Sequence, residues 1–118
     1  MSSKPEELLV TRKFRVVRHV ALGRDGQPHF KDVVIHPGAV TILPMVDHEH
    51  VCLIRNERVA VGKTLVELPA GTLEPDEDPA VTAHRELIEE TGYRADRMEK
   101  LCEFFMSPGI LNERMYLY

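Results

Sequence analysis

Between Thr11 and Leu22 (TRKFRVVRHVAL) apolar and polar residues alternate, with Phe14, Val16, Val20 and Leu22 on the apolar side. A period of two with β-branched members predicts a half-exposed strand. Gly23-Arg24-Asp25-Gly26 reads as a turn, and Lys31 to His36 (KDVVIH) as a second short strand, so the two form a hairpin. Pro37-Gly38 interrupts the chain before a third apolar stretch, Ala39 to Val46. Val51 to Arg55 and Thr64 to Leu68 are apolar runs of strand length, the second ended by Pro69-Ala70-Gly71.

After residue 77 the period changes. Asp78 is suited to cap a helix, Pro79 to its first turn, and Gly92 to its end, which predicts a helix through Ala80 to Glu90. At 100° per residue Ala80, Ala83 and Leu87 make one apolar stripe, and Val81 and Ile88 make another on a different side. Both flanks are expected to be packed. A strand at Leu101 to Met106, a turn at Ser107-Pro108-Gly109 and a last strand at Met115 to Tyr118 complete the pattern. That last strand reads as cut short, with apolar surface and an unpaired edge.

Composition narrows the class. The 118 residues suit one ordinary domain, and 43% hydrophobic with 29% charged residues is a globular balance. A formal charge of −4 disfavours nucleic acid and anionic membranes as partners, so a phosphate ligand has to be held locally. No apolar run is long enough to span a bilayer and the first residues lack a signal-peptide core, which points to the cytoplasm. Cys52 and Cys102 stand apart in apolar surroundings and read as reduced core thiols. His48 and His50 read as loop surface.

On the helical wheel Glu86, Glu89 and Glu90 share one sector, in the last turns, where the helix dipole disfavours anions by roughly 0.3–1 kcal/mol each. A hard divalent cation such as Mg²⁺ relieves both penalties. The charge pattern alone favours a solvated acidic face, since runs of glutamate on helices are common. Its setting decides against that: from Gly71 the chain gives G-x5-E-x7-R-E-L-x-E-E-x-G-Y, with Gly71, Glu77, Arg85, Glu86, Leu87, Glu89, Glu90, Gly92 and Tyr93 at the fixed places. The seven glycine and charged identities among these coincide by chance on the order of 10⁻⁸ or less per starting position. This resembles the Nudix box in full, with Tyr93 where the family usually has an aliphatic residue.

The resemblance implies a Nudix-type α/β fold, a mixed sheet sandwiched with helices, preceded by the N-terminal hairpin. Strands 1–38 would precede the box at 71–93 in a single domain, 1–118. It implies metal ligation by the Ala70 carbonyl and the carboxylates of Glu86, Glu89 and Glu90, with Glu89 or Glu90 as base and Glu86 and Glu90 as the main metal holders. Arg85 would pair with Glu77, and Gly71 and Gly92 would serve backbone turns. The cofactor implied is Mg²⁺, with Mn²⁺ as an alternative.

Outside the box the chain is similar to the ADP-ribose pyrophosphatase branch. The carriers are Glu67-Leu68-Pro69-Ala70-Gly71, like that branch's E-x-P-A-G; Ser107-Pro108-Gly109 with Glu113 behind it; and Arg55-Asn56-Glu57-Arg58, where the branch usually has R-Q-Y-R or R-Q-F-R. Arg55, Arg58, Glu67, Gly109 and Glu113 are thereby expected substrate contacts. The implied reaction is hydrolysis of ADP-ribose to AMP and ribose 5-phosphate by a homodimer. The alternatives are a nucleotide sugar or another nucleoside diphosphate derivative as substrate, or a sensor that binds ADP-ribose without cleaving it. Because the family continues past this point with more sheet, a closing helix and a glutamate-bearing loop, the resemblance also implies a domain incomplete at its C-terminus.

Overall fold

The computed structural model describes residues 4–118, which fall into two compact units: one built from the chain up to Gly38 together with Phe105–Arg114, the other from Ala39–Phe104 and Met115–Tyr118. The first unit is an antiparallel meander of β1 (Glu6–Val10), β2 (Arg15–Leu22) and β3 (Pro28–Ile35). The expected hairpin is thus present and extended by β1, which the acidic start Glu6-Glu7 disguised as a tail. The alternating stretch from Thr11 does not begin as strand. Thr11 Oγ1 accepts from the Phe14 amide at 3.0 Å and the Thr11 amide donates to the Phe14 carbonyl at 2.8 Å, closing a tight turn between β1 and β2. The β2–β3 turn relies on Gly26, whose φ of +77° is open to glycine at no steric cost.

The loop around Pro108 belongs to this same unit. The Val34 amide donates to the Ile110 carbonyl at 2.9 Å, the Asn112 amide to the Val34 carbonyl at 3.1 Å, and the His36 amide to Asn112 Oδ1 at 2.8 Å. Together they bolt the loop to the end of β3.

In the second unit β4 (Ala39–Thr41) is the centre. It pairs antiparallel with β7 (Ala70–Thr72) and parallel with β9 (Arg114–Leu117), and β9 in turn pairs with β8 (Cys102–Phe105). A separate ribbon joins β5 (Ile54–Arg58) to β6 (Lys63–Glu67) through one 3₁₀ turn at Val59–Val61. The helix α1 (Pro79–Thr91) packs on β4 and β7, burying Ala83 and Leu87 against Val40 and Ile42. Val40 and Ala83 are wholly shielded, which is where burial of apolar surface contributes most.

Several expectations need correction. The last strand is not an unpaired edge: β9 lies between β4 and β8, because the apolar, buried β4 recruits it in parallel across some seventy residues that local pattern does not bridge. The apolar stretch from Ala39 to Val46 is strand only as far as Thr41. Val81 and Ile88 remain 58% and 46% exposed, so only the Ala83/Leu87 flank of α1 is packed. Cys102 is exposed and Cys52 half-buried, both free thiols, so neither sits in the core. The described residues contain one α-helix, and a second covering helix is not among them. The architecture is α/β as expected, and no helix is long and apolar enough to cross a membrane.

Candidate metal and diphosphate site

Helix α1 forms where local chemistry dictates. Asp78 Oδ1 accepts from the Ala80 amide at 2.9 Å, Pro79 occupies the first turn, and Gly92 closes the helix at φ +77° with its amide donating to the Ile88 carbonyl at 2.9 Å. No basic residue lies in the last turn, so the dipole there is left uncompensated for Glu89 and Glu90.

Glu86 is the buried member of the acidic sector, with 14% of its side chain exposed. It lies against β7 so closely that a Cβ on Gly71 would fall 2.1 Å from the Glu86 Cδ. Only glycine at 71 leaves room for that carboxylate. Burial pushes the Glu86 pKa up, and the charges of Glu89 and Glu90 add to it, against the pull of Arg85.

Arg85 is the hub of the acidic face. It bonds Glu77, as expected, in a close ion pair, and reaches Glu86 at 3.2 Å, Glu89 at 3.7 Å and Glu74 at 3.8 Å. Partial burial works against its charge, but hydrogen bonds with Glu86 and Glu77 outweigh this and hold its pKa above the ordinary value. Glu77 is held below its ordinary value by Thr82 first, then by the Glu74 amide and Arg85. Sequence spacing offers a signal only for the Arg85–Glu89 contact, an i to i+4 pair; the adjacent Glu86 and the distant Glu74 are not legible from it.

The arginines on the β5–β6 ribbon differ. Arg58 grips Glu67 with both arms, Nε to Oε2 at 2.8 Å and Nη2 to Oε1 at 2.6 Å, and Asn56 Nδ2 joins at 3.4 Å. Two expected substrate contacts therefore meet each other. The Arg58 pKa is raised by Glu67 first, and the charge of Glu90 adds to that, so this ribbon lies within electrostatic reach of the acidic helix. Arg55 is exposed and makes no ion pair among the described residues. Gly109 and Glu113 are in the other unit, where Glu113 stands 3.7 Å from His36 Nδ1.

Whether these residues suit a divalent cation is a matter of donor type and charge. Glu86, Glu89, Glu90 and the Ala70 carbonyl on β7 are hard oxygen donors, the kind Mg²⁺ takes. Among the described residues no three His, Cys, Asp or Glu side chains converge into a ready-made cage. The excess of carboxylate over cation around Arg85, and the raised Glu86, make the face one that a cation would relieve, so the donor set fits. The hollow of about 540 Å³ in this unit, lined by Ile42, Pro44, Leu87, Arg94, Met98 and Tyr118 among others, includes none of the three helix glutamates. The acidic face is open rather than a pocket.

The family profile described as NUDIX domain matches residues 35–118. A methanol dehydrogenase activator of Bacillus methanolicus is 44% identical over 94 residues, covering 80% of this chain and 51% of its own length. An ADP-ribose pyrophosphatase of Bacillus subtilis (strain 168) is 39% identical over 94 residues with the same coverage. The chain thus spans about half the length of these curated relatives. A solved structure described as the crystal structure of an ADP compounds hydrolase superimposes with a TM-score of 0.84 at 27% identity, covering 99% of this chain and 64% of that one. With the box running from β7 through α1 to Tyr93 and its first glycine packed on Glu86, this chain belongs to the Nudix family, in the branch that resembles ADP-ribose pyrophosphatases.

Proposed function

We propose that this chain carries the hydrolytic core of a divalent-cation-dependent pyrophosphohydrolase acting on ADP-ribose to give AMP and ribose 5-phosphate. The observation that carries the reading is the Glu86 carboxylate seated on Gly71, the residue that follows Ala70 in β7, and on the same helical sector as Glu89 and Glu90. Glu86, Glu90 and the Ala70 carbonyl are the proposed holders of Mg²⁺, or of Mn²⁺ in its place, and Glu89 assists. A cation held there neutralises phosphate oxygens, which lowers the barrier to attack by water on an anionic centre.

Water attacks one phosphorus, the bridging P–O bond breaks, and Glu89 or Glu90 accepts the proton, both being exposed at the end of α1. Arg85 and Glu77 orient the helix against its lead-in loop. Arg55 is the arginine available to a phosphate, while Arg58 with Glu67 stiffens the ribbon next to Glu90. The expected roles of Gly109 and Glu113 at the substrate, like a homodimer, rest on the family resemblance alone.

A nucleotide sugar is the second reading, favoured by the exposed Glu57, which stands where the branch usually has an aromatic residue. One screen decides between them: product release from ADP-ribose, nucleotide sugars and deoxynucleoside triphosphates, in Mg²⁺ and in EDTA. ADP-ribose is expected to give the highest kcat/KM, with no turnover in EDTA and a loss of about a hundredfold in Glu86→Gln or Glu90→Gln. Deoxynucleoside triphosphates ahead of ADP-ribose, or full activity in EDTA, would overturn the reading.

A further inference from the structure

We propose that the Arg85 guanidinium is the internal counter-ion of the acidic face in the cation-free protein, and that it yields Glu86 and Glu89 when a divalent cation binds. The proposal rests on the reading of that face as a cation site.

The four carboxylates around Arg85 are not held alike. Glu77 makes the close pair, is 14% exposed, and is fixed from its other oxygen by the Glu74 amide at 3.2 Å. That contact is the anchor. Glu86 is reached at 3.2 Å through Nη2, and Glu89 at 3.7 Å through Nε, a distance beyond a normal hydrogen bond, on a side chain 59% exposed. These two contacts are looser, and both partners are assigned to the cation.

Charge argues the same way. A single guanidinium stands among Glu74, Glu77, Glu86 and Glu89, so three negative charges stay unbalanced, with Glu90 beyond them. Glu86 and Glu89 lean on Arg85, and among the described residues no three His, Cys, Asp or Glu side chains are placed to hold a metal ion as they stand. A dication can gather them only by replacing that arm of the fork, while Glu77 and Glu74 keep the arginine in place. Lysine at 85 would retain a point charge for Glu77 and lose the planar reach to the other two.

The test compares melting temperatures of the wild type and Arg85→Lys in EDTA and in saturating Mg²⁺. In EDTA the variant is expected to melt roughly 5 °C or more below wild type. In Mg²⁺ the gap should shrink to less than half, because the cation does for Glu86 and Glu89 what the fork did. An arginine that serves only as an anchor for Glu77 gives the same gap in both solutions, which overturns the inference. If the variant does not fold, the Nε–H resonance of Arg85 in the wild type is followed during Mg²⁺ titration: a shift that saturates with the cation supports release, and an unmoved resonance excludes it. Absence of any Mg²⁺ effect on the wild-type melting temperature removes the cation site itself, a failure distinct from an equal gap in a protein that Mg²⁺ does stabilise.

Discussion

The Glu86 carboxylate occupies the space that a side chain on Gly71 would need, with 2.1 Å between an added Cβ and the Glu86 Cδ. The obstructing atoms, Cγ, Cδ and Oε1 of Glu86, all belong to one flexible side chain, so Gly71→Ala should move Glu86 rather than unfold the sheet. We expect the variant to keep its far-UV circular dichroism and to lose turnover by about a hundredfold, the scale of a 1 Å misplacement at a reacting centre. A fully active Gly71→Ala would show that the position of Glu86 is not what the glycine protects.

Asp78 fixes where α1 begins, and its side chain is the cap for the Ala80 amide at 2.9 Å. Asp78→Ala should cost about 1 kcal/mol in urea unfolding. Asp78→Asn, which keeps an acceptor oxygen, should recover most of that loss. Equal destabilisation by both substitutions would place the role of Asp78 outside the cap.

The Arg58 fork holds the Glu67 carboxyl below its ordinary pKa, with Asn56 contributing. A lowered carboxylate adds stability that is present above the unfolded-state value and is lost as pH falls through the folded one. At pH 7 the wild type should therefore be more stable than Glu67→Gln. By about pH 3, below the ordinary glutamate value of about 4.3, the gap should have narrowed markedly. Urea midpoints for both proteins at the two pH values measure it, and a gap independent of pH would mean that glutamine loses packing rather than charge.

What the sequence made legible follows the range of the forces involved. The ends of α1 were readable because Asp78, Pro79 and Gly92 act within one turn of themselves. Strand ends drifted: β5 begins at Ile54 rather than Val51, and β7 was hidden because Ala70-Gly71 reads as a break until it pairs with Val40 and Thr41. The place of β9 beside β4 depends on a parallel partner far along the chain, which no local pattern encodes. In the site, the order of the box gave the Arg85–Glu77 pair. The Arg58–Glu67 clamp is not legible because the register sets Arg58 opposite Lys63 and Glu67 opposite Ile54, and only the long arginine side chain reaching along the ribbon brings the two together.

Leu87 and Ile88 test how far the helix is packed, since the wheel gave each an apolar stripe and the structure honours only one. Leu87 is 3% exposed and packs with Val40, Ile42 and Ala83, whereas Ile88 is 46% exposed on the outer flank. Leu87→Ala should cost roughly 2–5 kcal/mol, because it removes buried methyl groups and leaves a cavity under the helix. Ile88→Ala should cost under about 1 kcal/mol, since a surface change is small and alanine is the better helix former. The two also separate in function: Leu87 follows Glu86 in the helix and anchors that turn in the core, so its loss should loosen the carboxylates and lower turnover even at temperatures where the variant is folded. Ile88→Ala should leave turnover unchanged. A cost at Ile88 equal to that at Leu87 would mean that the outer flank is covered in the working protein, by a partner or by further chain, and that the exposure found at Val81 and Ile88 does not persist there.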